Sequence, residues 1–273
     1  MTDTSTRRRR RLPLLIGGAV LAVVALAAVA WALRGDEPQR VDAERALEQE
    51  GDGAPTAEEP AEPAPDEEPD GEEGLLPADP LDDPENGREL EIDGTWTVDT
   101  DRPFDRAEGR GSFVGYRIQE ELANIGANVA VGRSPMVDGT VAIAERTVTA
   151  VLVEADLEAL ESDDGRRDNR VRGSLGPDAT AAFELTEPIA LPEVPPVGEV
   201  VELQAVGVLT ILDVTEEVVV DLQAVVTAEG IVVTGSIDVL LSDFGVEVPT
   251  APIVLSVSDE ATLEWQLVLV RER

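Results

Sequence analysis

The chain has 273 residues and contains neither cysteine nor histidine, which excludes disulfide frameworks, imidazole metal sites and the Cys/His or Ser/His pairs of most hydrolases. Its formal net charge of -36 repels phosphate backbones, so nucleic-acid binding is excluded as well. The length suits one sizeable domain or two small ones.

The N-terminal end is basic and then apolar. Arg7 to Arg11 form an unbroken basic run, and no charged residue occurs from Leu12 to Leu33. Such a stretch meets the requirement of about 20 apolar residues for a helix that crosses a bilayer. We predict a cytoplasmic tail at residues 1–11 and a transmembrane signal-anchor helix at residues 12–33, because positive charge stays on the cytoplasmic side. The rest of this single-pass protein is then extracytoplasmic, tethered to the cell membrane.

A cleavable signal peptide is the alternative for the same segment. Ala28-Val29-Ala30 has the spacing of small residues that a signal peptidase recognises, so cleavage after Ala30 stays open. The long apolar stretch, with no polar segment before Ala28, favours an uncleaved anchor. Under either interpretation the C-terminal part of the chain is exported.

Residues 34–93 have the composition of a linker. Ala54 to Pro84 consists mainly of Pro, Ala, Glu, Asp and Gly with almost no large apolar side chain, so it buries too little surface to offset its ordering entropy. We predict a disordered acidic linker over the whole range. Asp42 to Glu50 is compatible with a short helix that nothing in the sequence requires.

From Gly94 onward, β-branched runs alternate with Gly, Pro and Asp, which is typical of strands. On the last run Ala261, Leu263, Trp265, Leu267 and Leu269 share one face. Only Gln119 to Ile125 and Leu157 to Arg172 are predicted to be helical. The predicted strands are Thr95 to Val98, Ser112 to Gln119, Val148 to Asp156, Thr180 to Leu185, Val200 to Leu212, Val218 to Thr227, Ile231 to Leu241 and Ala261 to Val270.

Many successive strands without long helices between them predict an all-β domain with an antiparallel sheet, closed as a barrel or stacked as a sandwich. Closure as a barrel removes exposed edges, which suits strands that are long and rich in valine. A barrel of about eight strands has room for one small apolar ligand.

Several motifs of this region resemble those of the YceI-like family. They occur in the family's order between Gly94 and Val270, and the ordered set is more specific than any member. The motifs are Gly94-Thr-Trp-Thr-Val-Asp99, Gly111-Ser-Phe-Val-Gly-Tyr-Arg-Ile118, Arg167-Asp168-Asn-Arg-Val171, Ala181-Ala-Phe183, Gly207-Val-Leu-Thr-Ile-Leu-Asp-Val-Thr215 and Ser242-Asp-Phe-Gly-Val246.

The resemblance implies that residues 94–273 form an antiparallel, lipocalin-like barrel that holds a long polyisoprenoid or similar lipid. It implies no catalytic residue. We also predict no metal site and no cofactor. The sequence departs from the family pattern at Asp213, which stands in place of a glycine, and at Glu216, which stands in place of a basic residue.

The candidate ligand-binding residues are the apolar side chains expected inside the barrel: Trp96, Phe113, Tyr116, Phe183, Ala224, Phe244 and Trp265. The alternative is that these aromatic side chains simply fill a core. Arg167 and Asp168 are candidates for contact with a ligand's head group, since arginine pairs well with phosphate or carboxylate. The alternative is a local ion pair that ties a helix to the barrel.

Two functions from different classes follow. The first is a membrane-anchored, extracytoplasmic binding protein whose partner is an apolar lipid-like molecule held inside the barrel. The second is a structural or interaction module of the cell envelope, with a filled barrel and no ligand. An enzyme is not expected, because the sequence offers no nucleophile and base in a recognisable arrangement.

Overall fold

The computed structural model describes residues 38–51, 91–248 and 254–272. The described part folds into a β-barrel with two short α-helices and one 3₁₀ turn. The helices are α1 (Ala43–Gly51) and α2 (Gly165–Leu175), and the 3₁₀ turn is Leu241–Phe244. The strands are β1 (Gly94–Val98), β2 (Phe113–Leu122), β3 (Gly126–Ser134), β4 (Val137–Ala144), β5 (Thr147–Asp156), β6 (Thr180–Leu185), β7 (Ile189–Ala190), β8 (Val200–Ile211), β9 (Val214–Val226), β10 (Ile231–Leu240) and β11 (Val254–Arg271).

Eight strands close the barrel. They follow the order β1-β4-β5-β6-β8-β9-β10-β11, and β11 pairs back with β1. The long strand β11 pairs with β1 from Leu269 to Arg271 and with β2 from Val254 to Gln266, so the β2–β3 hairpin extends the wall on that side. All pairings are antiparallel, which confirms the predicted all-β, lipocalin-like barrel.

The two predicted helical segments differ from the structure. Gln119 to Ile125 is not helical, because Glu120 keeps the alternation of β2 and the chain then turns at Asn124, with φ of 68°, into β3. The second helix begins at Gly165 instead of Leu157. Its start is fixed by Asp164, whose side chain accepts a hydrogen bond from the backbone N–H of Arg166 at 2.8 Å.

Part of the predicted linker is ordered. Residues 43–51 form α1, and Ala43 and Ala46 lie buried on its inner face against Val225, Val232 and Val268 of the barrel's outer wall. The prediction of disorder throughout residues 34–93 therefore does not hold for α1. The basic tail and the membrane-spanning segment predicted at residues 12–33 lie outside the described residues. No helix within the described ranges is long and apolar enough to span a bilayer.

The residues before α1 cover a polar cluster on the outer wall. Nε of Arg117 donates to Glu264 at 2.6 Å, and Nη2 of Arg133 donates to the other carboxylate oxygen at 2.8 Å. The backbone carbonyl of Gln39 accepts hydrogen bonds from Arg117 at 2.6 Å and from Arg133 at 2.7 Å. Burial lowers the pKa of Arg133, with Glu264 acting in the opposite direction. The cluster thus fastens the segment before α1 to the barrel.

Candidate functional site

The interior of the barrel holds a cavity of about 380 Å³. This volume lies within the range of about 300–1,000 Å³ that is common for small-molecule sites. Period-two alternation builds its wall, since every second residue of a strand faces inward. On β9 the inward residues are Val218, Val220, Leu222, Ala224 and Val226, and on β11 they are Ala261, Leu263, Trp265, Leu267 and Leu269. The surface offered to a ligand is therefore almost entirely apolar.

Three aromatic rings line the cavity without filling it, and each lies against a glycine of a neighbouring strand. A Cβ placed on Gly132 would lie 2.4 Å from Cε1 of Tyr116. A Cβ on Gly207 would lie 2.5 Å from Cζ of Phe183, and one on Gly235 would lie 2.4 Å from Cζ2 of Trp265. Glycine lets each ring pack on the backbone of the wall, as happens where an aromatic residue covers a strand glycine. The centre of the barrel consequently stays open.

Four of the seven predicted lining residues line the cavity: Tyr116, Phe183, Ala224 and Trp265. Trp96, Phe113 and Phe244 do not. Trp96 faces the same side of the sheet as its partner Val141 but is buried in the adjoining core, where its Nε1 donates to the carbonyl of Ile92 at 2.8 Å.

Phe113 and Phe244 lie outside the cavity for different reasons. Phe113 stands three residues before Tyr116 on β2, so the two side chains face opposite sides of the wall. The ring of Phe113 packs against Arg133, whose Cζ lies 4.3 Å from the ring centroid. Phe244 is buried below the 3₁₀ turn in a core cluster with Leu157 and Leu160. Strand alternation does not apply to a residue in such a turn.

One end of the cavity is polar. Helix α2 contributes Arg167, Arg170 and Ser174 to the lining there, and β2 contributes Tyr116 and Glu120. Nη2 of Arg167 donates to Glu120 at 2.8 Å, and its other amino group binds Asp163. Burial lowers the pKa of Arg167, but Glu120 and Asp163 outweigh this effect and raise it. Arg167 is therefore a charged group whose charge is locally balanced.

Asp168 does not face the cavity. Its Oδ1 accepts hydrogen bonds from the backbone N–H of Ser162 at 2.9 Å and from the hydroxyl of Ser162 at 2.5 Å. Asp168 is buried and holds the start of α2 to the preceding loop. The two predicted head-group residues thus separate, with Arg167 at the cavity and Asp168 in a structural role.

Sequence reasoning missed two features of the site. Glu120 has the same parity as Tyr116 and Ile118, so the alternation of β2 would have placed it inside, had this segment not been predicted as a helix. The glycines against which the aromatic rings pack lie in the middle of strands. A glycine at such a position indicates that another group approaches the backbone closely. Among residues 38–51, 91–248 and 254–272, no group of three or more acidic side chains is placed to hold a metal.

Comparison with known proteins finds matches among the solved structures, whereas none of the curated proteins compared matches the chain. A polyisoprenoid binding domain from Saccharophagus degradans, implicated in plant cell wall breakdown, is 14% identical with a TM-score of 0.48, covering 65% of this chain and 98% of that one. BcnA of Burkholderia cenocepacia is 18% identical with a TM-score of 0.46, covering 63% and 98%. The YceI protein of Campylobacter jejuni is 17% identical with a TM-score of 0.38, covering 50% and 81%.

The family is identified by a match between the sequence and a family model. The YceI-like domain matches residues 106–269, which is more than half of the chain and includes β2 to β10 and all but the end of β11. The motifs that resemble this family fall on β1, β2, β6, β8 and the start of β9, on α2, and, for Ser242 to Val246, on the 3₁₀ turn and the residues that follow it. This chain belongs to the YceI-like family.

Proposed function

We propose that this protein binds one long apolar lipid, of the polyisoprenoid class, inside its barrel, and that it has no catalytic role. The observation that carries the proposal is the apolar cavity, whose aromatic residues lie on wall glycines and leave its centre open. The family resemblance supports the same ligand class.

Burial of hydrocarbon supplies the affinity. Each CH₂ group that leaves water contributes about 0.8 kcal/mol, so a chain of 20 carbons gains about 16 kcal/mol. Association costs at least about 4 kcal/mol and often more. A micromolar dissociation constant corresponds to a binding free energy of about 8 kcal/mol. Long chains are therefore needed for affinity of that strength or greater. Chains of a few carbons should bind too weakly to detect.

A substitution at Ala224 tests this proposal. Ala224 lines the cavity between Val201 of β8 and Val233 of β10. In Ala224→Phe the ring enters the space that the lipid would occupy, so the purified full chain should lose binding of a fluorescent polyene lipid while keeping most of its stability. Val219→Phe is the matched control, because Val219 is exposed on the outer face of the same strand.

The two hypotheses predict different results for Ala224→Phe. Overfilling a packed core destabilises a protein by about 1–3 kcal/mol, whereas growth into an open cavity is tolerated. Retained stability with lost binding supports the lipid-binding proposal. Lost stability together with no lipid binding in the wild type would overturn it in favour of a filled structural barrel.

We also propose that the barrel is extracytoplasmic and held at the cell membrane by residues 12–33. The basic run before this apolar stretch supports that orientation. The native protein should then fractionate with membranes and resist extraction by salt and carbonate. Recovery of a soluble form beginning at Trp31 would instead show cleavage after Ala30.

A further inference from the structure

The polar end of the cavity contains one hydroxyl group that the protein leaves available. Tyr116 lines the cavity, and its ring lies against Gly132. Within the part of the chain that the structure describes, no group makes a hydrogen bond with its hydroxyl. Burial raises the pKa of Tyr116 to about 12, so the phenol keeps its proton at any physiological pH. Tyr116 therefore brings to the cavity wall a hydrogen-bond donor that has no acceptor among the described residues.

The charges around this hydroxyl disfavour an anion. The groups that act on it electrostatically are one cation, Arg167, and three carboxylates, those of Glu120, Asp163 and Asp168. Arg167 is already paired with Glu120 at 2.8 Å and with Asp163. Asn128 donates a further hydrogen bond to Glu120 at 2.7 Å. A phosphate placed here would meet carboxylates and would have to displace an existing ion pair.

An uncharged oxygen atom would not be repelled by these carboxylates and would not have to displace the ion pair. A hydroxyl, ester or ketone oxygen can accept the phenol proton, and its desolvation is much less costly than that of a phosphate. From this arrangement we infer that the lipid carries an uncharged, oxygen-bearing head group, which accepts a hydrogen bond from Tyr116. This inference rests on the proposed lipid binding and specifies its ligand.

Arg170 provides the competing possibility. It lines the cavity on α2, one helical turn beyond Arg167, and is half-buried. No described residue forms an ion pair with it. An anionic head group that reached Arg170 instead of Tyr116 would make phosphate-bearing lipids the better ligands, so the experiment includes both arginine and tyrosine variants.

Three lipids of one chain length separate the alternatives: geranylgeraniol, geranylgeranyl phosphate and a hydrocarbon of 20 carbons without oxygen. Affinities are measured on the full chain and on Tyr116→Phe and Arg170→Gln. We expect geranylgeraniol to bind at least about tenfold more tightly than the phosphate. Tyr116→Phe should weaken geranylgeraniol about three- to tenfold, as expected for one neutral hydrogen bond. It should leave hydrocarbon binding unchanged.

A spectroscopic readout reports the contact directly. Tyr116 is the only tyrosine among the 273 residues, so labelling tyrosine with ¹³C at Cζ gives one resonance from this protein. Geranylgeraniol should shift that resonance away from its position in the hydrocarbon complex. The shift distinguishes a hydrogen bond from mere occupancy of the cavity.

The experiment distinguishes failure of the proposed lipid binding from failure of the inferred head group. If none of the three lipids binds, the proposed function itself fails. If geranylgeraniol and the hydrocarbon bind equally and Tyr116→Phe changes neither, lipid binding stands but the inferred head group is wrong. If the phosphate binds most tightly and Arg170→Gln removes its advantage, the head group is anionic and the inference is overturned.

Discussion

Trp265 lies directly opposite Gly235 in the β10–β11 pair, and a Cβ on Gly235 would lie 2.4 Å from Cζ2 of the indole. The ring therefore lines the cavity only because its partner has no side chain. A substitution at Gly235 must displace the indole, and the cavity is the open space available to it.

Gly235→Val should reduce lipid affinity more than tenfold, because the displaced indole then occupies ligand volume. The expected loss of stability is about 1–3 kcal/mol, the usual result of overpacking. Ser236→Val is the control, since Ser236 is exposed on the opposite face of the same strand. Fluorescence titration with a lipid and urea unfolding measure the two effects. Unchanged affinity in Gly235→Val would show that the wall around Trp265 does not contact ligand.

Glu264 should be important for stability and not for binding. Its carboxylate faces the guanidiniums of Arg117 and Arg133 on the outer wall, and all three side chains are buried. Glu264→Gln removes the negative charge between two cations, and breaking a buried ion pair in this way costs about 3–5 kcal/mol. Glu260→Gln, at an exposed position of the same strand, should change the free energy of unfolding by less than about 0.5 kcal/mol. Equal stability of the two variants would contradict a structural role of the cluster.

Helix α1 should be released by a charge on its buried face. Ala46 is 2% exposed and packs against the outer wall, so a carboxylate there would be buried without a partner. In Ala46→Glu, amide exchange of residues 43–51 should accelerate at least tenfold while the strands keep their protection. Glu48→Ala, an exposed change on the same helix, serves as the control. Slow exchange in Ala46→Glu would mean that α1 is held by other contacts.

Stability at alkaline pH should depend on Tyr116. The pKa of Tyr116 in the folded protein is about 12, above its ordinary value of 10.0. The folded state therefore retains the proton while the unfolded state loses it. This contribution is fully present below pH 10 and is lost as the pH rises from about 10 to about 12, by up to about 2–3 kcal/mol.

The measurement is urea unfolding of the wild type and of Tyr116→Phe from pH 8 to pH 11. The decline in stability above pH 10 should be smaller in Tyr116→Phe, which has no phenol to ionise. Parallel curves for the two proteins would show that the phenol is not shielded in the folded state.

Alternation along the strands predicted an antiparallel sheet with one apolar face, and the resemblance to the YceI-like family implied that the sheet closes as a barrel. The face predicted for Ala261, Leu263, Trp265, Leu267 and Leu269 is the face that lines the cavity. The same rule separates Phe113 from Tyr116, and choosing residues by aromatic character instead of by parity placed Phe113 inside. Residue type predicted apolar burial correctly but did not determine the side of the wall.

Contacts between distant segments could not be predicted from local pattern. Glu264 belongs to the polar face of its strand, and it is buried against Arg117 and Arg133, which also bind the carbonyl of Gln39 from the distant segment before α1. Helix α1 offers only Ala43, Ala46 and Leu47 as an apolar stripe, which is too short to distinguish a docked helix from part of an acidic linker. Likewise the partner of Arg167 is Glu120, far along the chain, and no sequence spacing indicates this pair.

Native mass spectrometry of the full chain, purified from cells that make prenyl lipids, tests lipid binding most directly. We expect one additional mass per chain, removed by organic extraction and identified as a long prenyl chain with an uncharged oxygen. We also expect that Ala224→Phe carries no such mass although it stays folded. A wild-type barrel that never carries a lipid, and that binds none of the prenyl lipids added after purification, would show that the protein is not a lipid-binding barrel.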